Sequence, residues 1–259
     1  MISFTSAELN AWIAAFVFPL ARIFALLVAA PPFNNAGLTT RVRLVLGLAL
    51  VMAVAPALPA MPAIEPASGL GLLILAQQMI IGFAMGFVLR LVFSAIDLAG
   101  MMISTQMGLG FATAYDPQTA AQTPVVAELL GMLALLVFLA IDGHLMVLAT
   151  LVKSFTLLPV GMWTISEASW LNIANAGGVI FSSGVMLALP ALVALLITNV
   201  ALGVLGRVAP QLNLIVIGFP VTILLGFVAL YVGMSHLGGP LRQLFEHGLQ
   251  SMLGFFLLR

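Results

Sequence analysis

The chain has 259 residues, 63% of them hydrophobic, with 8 Lys+Arg balanced by 8 Asp+Glu for a formal net charge of zero. A soluble domain covers itself with charge at about a quarter of its residues, so a chain with 6% charged residues must turn its outer face to lipid or to other apolar proteins. No basic run tracks a phosphate backbone, which sets nucleic-acid binding aside, and the absence of cysteine excludes disulfides and thiolate metal sites.

A membrane-crossing helix needs about 20 apolar residues, and its backbone groups must be satisfied within the segment because lipid offers no partners. Six stretches meet that length, at residues 9–30, 44–61, 70–91, 125–148, 179–205 and 212–232. Ahead of the first, residues 1–10 carry Glu8 and no Lys or Arg. That is not the basic start of a cleaved signal peptide, so the first run is expected to stay in the mature protein. Pro31-Pro32 ends it, and Pro56, Pro59, Pro62 and Pro66 punctuate the connection after the second, since proline cannot continue a helix. The third run continues apolar to Met107, about 57 Å as a single helix, and contains Arg90 and Asp97. It therefore projects beyond the bilayer or lies only partly within it. Thr123-Pro124 reads as an N-cap with proline at the first helical position of the fourth run. Residues 249–258 are too short to span and suit an interfacial helix or a partner contact. Six spans place Arg41, Arg43, Arg90 and Arg207 on one side, against Lys153, Arg242 and Arg259 on the other; that slight tilt favours the first side as cytoplasmic.

Polar and small residues interrupt the apolar runs at a few positions. Arg22 lies near the middle of the first run, where a lipid-facing charge costs about 2.5–3.5 kcal/mol. It is expected to be buried against a carboxylate, or else to face an export path. Arg90 and Asp97 fall on one helical face, about 10.5 Å apart, too far for an ideal bond. Each is expected to be buried against another helix or subunit. Glu128 sits early in its helix, where the dipole favours an anion. Gly82 and Gly86 form a small-xxx-small pair that lets backbones approach closely. Asp142-Gly143-His144 reads as a turn or helix end, with a proton relay at His144 as the alternative. Among 14 methionines, Met101, Met102 and Met107 cluster before a glycine-rich stretch, as core filler or as a deformable seal.

Two segments are irregular. In the first, Gln106 to Pro117, Gly108 and Gly110 break the helix, Phe111 and Tyr115 supply bulk, and Asp116-Pro117 starts a turn. Such a segment between membrane-length helices must be buried in protein, line a cavity or lie outside the bilayer. The second, Arg207 to Pro220, joins Arg207, Gln211 and Asn213 to Pro210 and Pro220 and reads as a tight loop followed by a kinked helix. Neither holds an enzyme signature. Ser182-Ser183-Gly184 lacks the leading glycine of an intramembrane serine protease, Gly108-Leu109-Gly110 is followed by Phe111 where an aspartyl type needs Asp, and neither H-E-x-x-H nor a phosphate loop occurs. No enzymatic activity and no cofactor are expected.

The pattern Asn199, Leu202, Gly203, Arg207-Val-Ala-Pro210-Gln211-Leu-Asn213, then Ile217-Gly218-Phe219-Pro220 closely resembles the hallmark stretch of FliR-type flagellar biosynthesis proteins, whose relatives of the SpaR and YscT type serve virulence-associated type III secretion. The Gln106 to Pro117 segment, Arg41 with Arg43, and Gly143-His144-Leu145 are similar to that family too, over nearly the full chain. The resemblance implies an all-α fold in which integral membrane-type hydrophobic helices form long hairpins in a helical multi-subunit export gate, raised largely above the membrane plane. It implies one domain over residues 1–259, in the bacterial inner membrane at the flagellar basal body. It also implies FliP-like and FliQ-like gate subunits, a FlhB-like switch protein, and exported rod, hook and filament proteins as partners. Met107, Gly108, Gly110, Phe111, Tyr115, Asp116 and Pro117 would then plug the closed channel. Asn199, Arg207, Pro210, Gln211, Asn213, Gly218, Phe219 and Pro220 would pack between subunits. Two other readings stay open: a secondary transporter of a small solute, with helix breaks at residues 108–117 and 210–220, and a scaffold that never touches substrate.

Overall fold

The computed structural model of the chain describes residues 6–34, 37–59, 61–62, 64–109, 124–161, 171, 175–211 and 214–257. No strand occurs among them. The principal helices are α1 (Ser6–Ala29), α2 (Thr40–Val54), α3 (Gly69–Gln106), α4 (Val125–Ala140), α5 (Gly143–Leu157), α6 (Gly177–Val208) and α7 (Leu214–Leu257). Five spans are long and apolar enough to cross a membrane, and α4 with α5 qualifies as a sixth only if its break is counted through.

Helix boundaries depart from the apolar runs where polar capping or backbone chemistry overrides hydropathy. Thr39 starts α2 four residues before the second run by accepting the Val42 N–H on its hydroxyl. Pro56 then tightens the end of that helix into a 3-10 turn, Ala55–Ala57. Pro124 occupies the N-cap of α4, with Val125 the first helical residue, so proline stands one position earlier than expected. Asp142 divides the fourth run. Its φ is +56°, a left-handed conformation that a short polar side chain tolerates, and its carbonyl accepts from Leu145 and Met146 to open α5. The turn reading of Asp142-Gly143-His144 therefore holds. The last run does not stop near residue 232. α7 continues for 44 residues through Pro220 and Pro240, and residues 249–257 are its final turns, not a separate helix. Each proline removes one ladder bond, and in apolar surroundings every remaining backbone group is best satisfied by continuing the helix.

The chain divides into two compact units: Met1–Leu91, Asp142–Ala176 and Phe245–Arg259 form one, and Val92–Ile141 with Gly177–Leu244 form the other. In the first unit α1 and α2 make a hairpin, with Gly47 facing Leu20, Phe24 and Leu27. α1 also runs alongside the first half of α3. A Cβ on Gly82 would strike the Arg22 carbonyl, and one on Gly86 would fall 2.6 Å from the Ala29 Cβ. The Gly82/Gly86 pair thus sets a backbone-to-backbone seam, as small residues at that spacing allow. Ala14, Phe18 and Ile74 are fully buried at its N-terminal end, with Ile64, Leu75 and Val160 around them.

In the second unit the other half of α3 and α4 form an antiparallel hairpin. Phe93 meets Phe138 edge-on, with ring centroids 6.0 Å apart. Asp97 lies beside Gly131, and a Cβ on Gly100 would overlap the Ala127 backbone. α6 approaches the same stretch of α3 through Gly184, which faces the Ala95 carbonyl and Leu98. Residues 110–123, between α3 and α4 in the chain, lie outside the described residues.

Candidate functional site

The C-terminus of α3 closes by a defined mechanism. The Gly108 N–H bonds to the Thr105 carbonyl at 3.0 Å and the Leu109 N–H to the Ser104 carbonyl at 3.0 Å. These paired bonds satisfy carbonyls that a helix end leaves bare. The arrangement needs a left-handed residue after the cap, and Gly108 supplies it with φ +80°. Glycine is required there a second time. A Cβ on Gly108 would sit 2.8 Å from the Phe219 ring.

Met107, the residue before that turn, is fully buried. Its side chain lies across Gly226 of α7, so that a Cβ there would meet the Met107 Cγ at 2.5 Å and the sulfur at 2.7 Å. Its carbonyl accepts from the Thr222 hydroxyl at 3.2 Å, a hydroxyl that also reaches the Phe219 carbonyl at 3.0 Å. The two segments singled out in the sequence therefore meet. The base of the 108–117 loop rests on Phe219, Thr222 and Gly226 of α7. Thr222 and Gly226 escaped the sequence reading. Their signal was a row of small residues at Gly218, Thr222 and Gly226, one helical turn apart on α7.

The remaining expected residues are dispersed. Gly110, Phe111, Tyr115, Asp116, Pro117 and Asn213 lie outside the described residues. Asn199, Gly218 and Phe219 are half-buried, while Arg207, Pro210, Gln211 and Pro220 are exposed around the α6–α7 corner. The methionine cluster splits. Met107 fills the α7 slot, whereas Met101 and Met102 line an open groove of about 490 Å³ with Leu192 and Leu196 of α6.

Arg22 is fully buried, but each of its described partners is neutral. Its Nε donates to the Gln78 Oε1 at 2.8 Å, Nη1 to the Ser154 hydroxyl at 3.0 Å, and Nη2 to the Leu158 carbonyl at 2.8 Å and again to Gln78. The guanidinium lies 4.1 Å from the centroid of the Phe155 ring, a cation–π contact. The expected carboxylate is replaced by a cradle of acceptors from α3 and the end of α5. Neutral acceptors satisfy the N–H fork without desolvating a second charge. Arg90 and Asp97 are exposed on the single chain, which corrects the expectation of burial against a helix of this chain and leaves a neighbouring subunit as the partner that would bury them. Glu128 is exposed in the first turn of α4.

These features define a membrane-embedded, all-helical protein organised around helix seams and a clamped loop. Residues 13–248 match the family of bacterial export proteins, family 1. The chain is 43% identical over 230 residues to the flagellar biosynthetic protein FliR of Pectobacterium carotovorum subsp. carotovorum, covering 89% of this chain and 88% of that protein. It is 41% identical over 226 residues to the Escherichia coli K12 protein of the same name (87% and 86% covered), and 27% identical over 241 residues to that of Bacillus subtilis 168 (92% and 93% covered). The chain belongs to this bacterial export family. It is a subunit of the flagellar type III export apparatus and works with other export proteins. The small-solute transporter reading has no support in these matches.

Proposed function

We propose that the chain helps form the export channel at the bacterial inner membrane, within the flagellar basal body, and that residues 107–117 seal it at rest. The cargo is unfolded rod, hook and filament protein. The neighbouring subunits are FliP-like and FliQ-like, with a FlhB-like switch protein beside them, and the whole chain acts as one gate domain without enzymatic chemistry. The observation that carries this reading is the clamped base of the loop at Met107 and Gly108. Here a chain leaves a 38-residue apolar helix from a fixed point, at the tip of a hairpin. In this reading Phe111 and Tyr115 supply the sealing bulk, and Gly108 and Gly110 serve as hinge or close-packing positions.

Subunit packing falls to the stretch from Asn199 to Pro220. Its Arg207, Pro210, Gln211 and Pro220 are exposed, and Cβ atoms on Gly203 and Gly218 would meet nothing within 4 Å. Only 11% of the most apolar 18-residue stretch of α6 and 17% of that of α7 are buried by the chain itself, so these apolar faces suit neighbouring helices of the assembly. Shortening residues 108–116 is expected to raise ion leakage through the assembled complex, read with a membrane-potential dye in cells. Unchanged conductance at normal assembly would contradict the seal.

A further inference from the structure

We infer that Thr222 and Gly226 of α7 are positioning residues for the seal. They hold Met107 as a fixed anchor, so that any movement of the loop begins at Gly108. The inference rests on the seal reading and adds to it which part of the segment stays still.

Three observations converge on Met107. Its side chain has no exposure and occupies a slot that exists only because residue 226 lacks a Cβ. Gly226 approaches Cγ, sulfur and Cε together, at 2.5, 2.7 and 2.7 Å from an added Cβ. A methyl group there would meet the side chain along its length, and rotating the methionine tip would not clear it. The Met107 backbone is tied as well, through the Thr222 hydroxyl at 3.2 Å and its own N–H to the Ile103 carbonyl at 2.9 Å. The next residue differs in kind. Gly108 has no side chain, sits at φ +80°, and borders a ring edge of Phe219. Glycine is the residue that most readily exchanges one backbone conformation for another. The boundary between a locked residue and a permissive one thus falls between 107 and 108. Met107 thus serves the seal as its buried anchor inside its own subunit, and the bulk that closes the channel lies beyond Gly108.

The anchor makes a size-complementary pair, and that gives the test. In complexes co-expressed with the neighbouring export subunits, Gly226→Ala should expel Met107 and raise ion leak several-fold per assembled complex. Met107→Ala should leak too, by leaving the slot empty. The double variant should leak less than either single one, because the added methyl fills the space the methionine gave up. Thr222→Val should raise leak more modestly, and Thr222→Ser should restore the parental level. A role in general packing would lower the amount of complex without raising the leak of what remains. On a background with residues 108–116 shortened, Gly226→Ala should add nothing further. If Gly226→Ala prevents assembly, the near-isosteric Thr222→Val decides the matter alone. Tight, fully assembled Gly226→Ala and Thr222→Val complexes, beside a leaking shortened loop, would overturn the anchor and leave the seal standing. A shortened loop that does not leak would overturn the seal, and the anchor's function with it.

Discussion

Arg22 and Met107 are both fully buried in helix seams, yet they are held by opposite means. Arg22 is held by the directional bonds it donates to Gln78, Ser154 and the Leu158 carbonyl, with an aromatic face beside it. A buried polar network of this kind specifies one geometry and penalises every departure from it. Met107 is held by shape, through a glycine-sized slot and one hydroxyl bond. Dispersion contacts fall off gradually, and a thioether side chain adapts to small shifts. The first device suits a junction that must never move. The second suits an anchor that stays in place beneath the segment we propose as the seal.

The comparison breaks most sharply at Gln78. Gln78→Leu would strand the Arg22 Nε and one Nη2 hydrogen in a dry seam, at a cost of about 3 kcal/mol. Complexes carrying it should fall apart at lower temperature in detergent, whereas Gln78→Glu, which keeps the acceptor and adds a counter-charge, should assemble normally. A Gln78→Leu complex as heat-resistant as the parent would show that the cradle contributes little. Next in size is Gly82→Val, whose branched side chain would drive α1 off α3 at the Arg22 carbonyl. Overpacking of this kind costs about 1–3 kcal/mol and should appear in the same melting experiment. The smallest effect on the chain itself belongs to Gly203→Leu, because nothing lies within 4 Å of that position. The free chain should melt within about 0.5 kcal/mol of the parent, while recovery of the multi-subunit complex drops. Equal recovery would remove the α6 face from the subunit interface.

Much of the fold was legible in the chain, but unevenly so. Five of the six membrane-length runs and the close seam at Gly82 and Gly86 follow from hydropathy and small-residue spacing, while the fourth run is broken at Asp142. Helix ends were less readable, because Pro240 and the Gly238-Gly239 pair would end a soluble helix yet lie inside α7. Burial could not be read at all from hydropathy. An 18-residue stretch of α3 with mean hydropathy 2.2 is 67% buried, and one of α6 at 2.4 only 11%. Both look alike in sequence because lipid, neighbouring subunit and own core are equally apolar. The Arg22 cradle was hidden for another reason. Its partners lie 56, 132 and 136 residues away, and all three acceptors are ordinary polar or backbone groups with no motif. The meeting of Met107 with α7 was half visible, since both segments stood out but nothing in either one named the other. The bulk of the loop, from Gly110 to Pro117, stands on the family resemblance.

The seal is tested most directly by contact with cargo. A photocrosslinking amino acid placed at position 111, in a complex holding an export substrate stalled midway, should join this chain to the substrate. It should give no such product when the channel is empty. Complexes in which cargo is demonstrably stalled, and in which position 111 crosslinks only to neighbouring subunits, would contradict the account and leave the chain as a scaffold around a channel lined by others.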